Sequence, residues 1–71
     1  MIYAKLEDID RCIIIVKHEL NKRNIIVSEN VLKEMTIDIM NISYSKGGDY
    51  SNEIVQSFAR TYVEEGFYKK Y

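Results

Sequence analysis

Residues 1–20 read MIYAKLEDIDRCIIIVKHEL, and the apolar residues Ile2, Leu6, Ile9, Ile13, Val16 and Leu20 step through them by four, three, four, three and four. Residues three and four apart lie above one another on a helix, so this spacing predicts one long α-helix with a continuous apolar face. Over nineteen residues it would run about 28 Å at roughly 1.5 Å per residue, close to the full length of a small domain. Cys12, Ile14 and Ile15 carry apolar surface round to the sides of that face, so the helix needs neighbours on more than one side. Glu7, Asp8 and Asp10 near its start and Lys17, His18, Lys22 and Arg23 near its end have the charge order that a helix dipole favours.

Working outward, NKRN at residues 21–24 holds no apolar residue, and Asn24 is suited to a left-handed cap, so the chain turns there. Ile25, Ile26 and Val27 are too few for a substantial strand. Ser28 is a good N-cap, and Val27 before it can staple onto Leu32. A second helix over 29–44 follows, with Val31, Leu32, Met35, Ile39 and Ile42 on its main face and Ile37, Met40 and Tyr44 opposite. YSKGGDYS, residues 44–51, is the breaker-rich segment of the chain. Asp49 or Ser51 caps a third helix over 51–65, whose apolar face is Ile54, Val55, Phe58, Ala59 and Tyr62. Gly66 ends it, leaving FYKKY as a tail or a frayed last turn. The expected fold is a single all-α domain, residues 1–71, of three helices with short connections.

A domain of 71 residues buries only about 60% of the surface of its unfolded chain, so its core needs reinforcement. One cysteine closes no internal disulfide, and one cysteine with one histidine makes no structural zinc set. Oligomerisation is what remains, and leftover apolar side chains at Ile14, Ile15, Ile37, Met40 and Tyr44 favour a symmetric dimer or a higher oligomer. The longest apolar run, Cys12 to Val16, is five residues, which predicts no membrane span. Lys5 is followed by acidic residues instead of an apolar signal core, so the expected location is cytoplasmic. The abundance of Ile, Asn, Lys and Tyr, all with AT-rich codons, points to a low-GC bacterium or one of its phages.

No catalytic constellation emerges, and the expectation is a protein that is not an enzyme and uses no metal or cofactor. HELNK, residues 18–22, has Lys22 where the second histidine of an HExxH zinc site would stand. Cys12 lies in an isoleucine run that suits a buried thiol better than an activated nucleophile. No carboxylate pair is set in an apolar pocket that would separate acid from base. A net charge of −1, with Arg60 alone among the cations of the third helix, argues against nucleic acid, although helices two and three allow a helical DNA-binding regulator as a distant alternative. Six tyrosines point instead to an interaction surface, since that ring buries area while its tip stays wet. The expected function is therefore non-catalytic binding of another macromolecule, a protein above all, in the manner of a phage accessory protein or inhibitor. The expected surface comprises Ile14, Ile15, Ile37, Met40, Tyr44, Tyr50 and Tyr68. A second reading is an oligomeric binder of a small anion such as a nucleotide, held by Tyr44, Lys46, Gly47, Gly48, Tyr50 and Arg60.

Overall fold

The computed structural model describes residues 6–47 and 50–71 as three helices, α1 (Leu6–Asn21), α2 (Glu29–Ser45) and α3 (Asn52–Glu64), followed by a 3-10 turn at Phe67–Lys70. There is no strand among the described residues, and the all-α reading holds. The expected beginning of the first helix at residue 2, the Ile2 and Leu6 side chains on its stripe, and Gly48 and Asp49 of the loop lie outside the described residues.

The helix ends are set by local chemistry. Asn24 adopts a left-handed conformation at φ 57°, with the Ile25 amide donating to the Leu20 carbonyl at 3.0 Å and the Asn24 amide to the Asn21 carbonyl at 3.1 Å. Those two bonds form a Schellman motif, in which otherwise orphaned carbonyls of α1 find donors. Ser28 caps α2, its hydroxyl accepting from the Val31 amide at 3.2 Å. At the far end Gly47 turns the chain at φ 81°, and Gly66 does the same after α3 at φ 78°.

All three helices touch one another. The core draws Ile9, Cys12, Val16 and Leu20 from α1, Leu32, Met35, Ile39 and Met40 from α2, and Val55, Ala59, Tyr62 and Val63 from α3. Arg11 of α1 reaches the start of α3, donating to the Asn52 side chain and to the Tyr50 carbonyl, both at 2.6 Å. Arg23, just past α1, pairs with Glu64 at the end of α3 at 2.9 Å. Start meets start and end meets end, so α1 and α3 run parallel and α2 returns between them, an up-down-up bundle.

This triangle corrects one expectation drawn from the sequence. Met40, assigned by spacing to a leftover surface of α2, is 0% exposed and belongs to the core. Because α2 packs against both neighbours it buries two faces, and Thr36 and Ser43 are fully buried with them. The Thr36 hydroxyl is satisfied by the Leu32 carbonyl at 2.7 Å, as burial of a polar group demands. The burial of Val31 and Ile42 is only partial, so the stripe is rotated from the expected Val31 and Ile42 edge toward Thr36 and Met40. The C-terminal residues also differ from a frayed tail. Phe67 packs edge to face on Tyr62 with ring centroids 5.4 Å apart, and the Tyr71 hydroxyl donates to Asp38 and pairs with the Tyr62 hydroxyl. Thus α3 and the C-terminal turn are clasped to the middle of α2.

Candidate interaction surfaces

Between α2, α3 and the C-terminal turn lies an open groove of about 340 Å³. Ile39 and Ile42 form one wall, Phe58 and Tyr62 the other, with Phe67 and Lys46 at its rim. Helical spacing creates it: Ile39 and Ile42 are three apart on α2, and Phe58 and Tyr62 four apart on α3, so each pair lines one side. Phe67 is half-exposed, at 52%, because the left-handed Gly66 turns the chain back across the end of α3. The Lys46 ammonium makes no ion pair with a described residue. Lys70, near Asp38 at 3.7 Å, lies over the rings of Tyr62 and Tyr71. None of the sequence signals had singled out Phe67 or this groove. The pairs Ile39/Ile42 and Phe58/Tyr62 were legible as stripes, but that they face each other across a gap depends on the packing angle.

The residues expected to form one surface are divided among several environments. Ile14 is 70% exposed on the outer side of α1, the most open position among the surface residues named from sequence. Ile15 is half-buried beside it and packs on the core, and Ile37 is half-buried. Tyr68 likewise packs against the core from the C-terminal turn. Tyr44 and Tyr50, flanking the glycine loop, are stacked at 6.2 Å between centroids and 23° between planes. Tyr44 is half-exposed, whereas the Tyr50 ring packs on the core and its hydroxyl is buried with no hydrogen-bond partner among the described residues. Burial pushes the Tyr50 hydroxyl's pKa up, with Tyr44, Asp8 and Cys12 adding to the effect.

For the anion reading, Lys46 and Gly47 are both exposed, and Gly47 has open space on the side where a β-carbon would stand. Arg60 does not join them. It shares the outer side of α3 with Glu53, Gln56 and Ser57, whereas Lys46 faces Phe58, Thr61 and Tyr62. Gly48 lies outside the described residues.

Two buried groups were candidates for chemistry. Cys12 is fully buried, and desolvation pushes its thiol above the ordinary value of 9.0, which keeps it protonated and unreactive. Glu19, next to the exposed His18, is also fully buried. Its carboxylate takes hydrogen bonds from Lys22 and Arg23 at 3.3 Å and from Gln56 at 3.4 Å, and Arg23 continues to Glu64. These ties fasten the end of α1 to α3. Among the described residues no three His, Cys, Asp or Glu side chains gather as a metal site, and no described helix is long and apolar enough to cross a membrane. The chain matches no family model, no curated protein and no solved structure.

Proposed function

We propose that the protein is a non-catalytic binding protein whose target is another protein, engaged at the groove between α2 and α3. The observation that supports this reading is an apolar groove with a half-exposed phenylalanine at its rim. Apolar surface concentrated in a cleft, with an aromatic side chain available as an anchor, is the makeup of an interface hot spot. Such a role suits an accessory protein or inhibitor working in the cytoplasm as a self-associated domain, bacterial or phage in origin. Affinity capture from the native cell, run with wild type, Phe67→Ala and Ile42→Glu, tests it. A stoichiometric partner recovered with wild type and lost with both variants is expected, with all three chains giving the same helical circular dichroism. Equal recovery by all three would refute the groove as the binding surface.

A second reading, a binder of small anions at the loop after α2, is favoured by Lys46, which pairs with no acid among the described residues, beside the open backbone of Gly47. A thermal-shift screen with nucleotides and inorganic phosphate separates the two. Stabilisation abolished by Lys46→Ala supports the loop, and no shift with any anion removes it.

A further inference from the structure

The outer side of α1 carries a pattern that none of the surfaces above accounts for. Glu7, Asp10, Ile14, Lys17, His18 and Asn21 are all exposed, and their spacing places them on one face of the helix. Ile14 stands at the centre of this face. Acidic Glu7 and Asp10 lie on its N-terminal side, Lys17 and His18 on its C-terminal side, and none of these four forms an ion pair with a described residue. A hollow flanks the ridge on each side, one of about 410 Å³ bounded by Ile13 and Leu32 and one of about 290 Å³ bounded by Ile15 and Gln56.

We infer that this face docks a second copy of the same chain, α1 against α1, antiparallel about a two-fold axis beside Ile14. The inference gives a surface to the self-association in the proposed function, and it rests on that part of the reading. A two-fold axis perpendicular to both helices places each residue opposite the position equally far from Ile14 in the other direction along the helix. Asp10, four residues before Ile14 and turned about 40° to one side at roughly 100° per residue, then falls opposite Lys17, three residues after it and turned about 60° to the same side. The pair occurs twice, once in each direction. Glu7 meets the His18 and Asn21 end of the other copy by the same symmetry. A parallel pairing would instead set Asp10 against Asp10 and Lys17 against Lys17, so the charge order selects the antiparallel arrangement. The Ile14 side chains meet at the centre, the hollows beside them giving the two ridges room to interdigitate.

Sedimentation equilibrium across a concentration series tests this with wild type, Ile14→Glu, Asp10→Lys, Lys17→Asp and the double exchange Asp10→Lys/Lys17→Asp. Wild type is expected to dimerise. Ile14→Glu weakens the dimer by more than about tenfold, since it places two carboxylates on the axis, and its melting temperature in dilute solution is unchanged because the site is open in the monomer. Each single charge change weakens the dimer several-fold and the double exchange restores it. A wild-type dimer indifferent to Ile14→Glu overturns the surface while leaving self-association standing. A dimer weakened by Ile14→Glu but not restored by the double exchange overturns the antiparallel register. A monomeric wild type overturns self-association and this surface together, and leaves the α2/α3 groove to its own test.

Discussion

A carboxylate inside a small helical bundle has to be held by donors, and Glu19 shows how. Burial alone would push its carboxyl upward, but the hydrogen bonds from Gln56, Lys22 and Arg23 outweigh it, and the group lies below its ordinary value of 4.5. A carboxyl that ionises more readily in the folded chain than in the unfolded one stabilises the fold above 4.5. That contribution is lost as the pH falls through the lowered folded value. Urea unfolding between about pH 5 and about pH 3 should therefore show wild type losing more stability than Glu19→Gln, which keeps the shape but cannot ionise. Glu19→Ala removes the acceptor from three donors and opens a void, and should cost about 2 kcal/mol at neutral pH, below what breaking a fully buried pair costs because Lys22 and Arg23 can still reach water. The position was legible in the sequence. Glu19 follows Cys12 and Val16 in helical step, so a carboxylate falls on the buried face there, but the apolar stripe alone, which passes through Val16 to Leu20, does not mark it.

For the elements, the sequence located each helix to within a residue or two wherever the chain is described, because their boundaries rest on short-range chemistry. Ser28, Asn24 and Gly66 perform the capping expected of them. Asn24→Val should destabilise the fold by about 1 kcal/mol or more, since a β-branched side chain opposes the left-handed conformation, whereas Asn24→Gly should be neutral or better. Gly66→Ala should cost about 1 kcal/mol through conformation alone, because a β-carbon there would meet only the flexible Lys69 side chain, no closer than 3.8 Å. Thermal melts of the three variants check both statements; a stabilised Asn24→Val would contradict the first. What could not be read was how many faces of each helix the monomer would use. Met40 shows the reason: whether the second apolar side of a helix faces a neighbour in the same chain or a different molecule depends on the angle at which three helices meet, and Thr36 and Ser43, polar by type, gave no sign that they would be buried at that meeting. The outer face of α1 was legible through Ile14, and the α2/α3 groove only as two separate stripes, because Phe67 reaches its rim by a turn the sequence suggested would fray.

At the scale of the molecule the C-terminal clasp joins α2 to α3. Tyr71 is held by Asp38 and Tyr62, and burial together with those bonds raises its hydroxyl above the ordinary value of 10.0. The folded chain keeps that proton where the unfolded chain releases it, so the contribution is complete below pH 10.0 and declines as the pH rises past it. Tyr71→Phe should flatten stability against pH on the alkaline side, read as a smaller drop in urea midpoint than wild type shows. Deletion of residues 67–71 should cost about 2 kcal/mol of apolar packing, chiefly from Phe67 and Tyr68, and lower the melting temperature in step. The parallel course of α1 and α3 also fixes the poles of the molecule: the chain starts α1 at one end of a body 28 Å long and completes α3 at the other. Domains whose ends lie side by side are readily permuted or inserted into a host loop. Here a connector running from the end of α3 back to the start of α1 would have to travel along the long axis, at least about eight extended residues, so the C-terminal turn that folds back onto the middle of α2 shortens the way only in part.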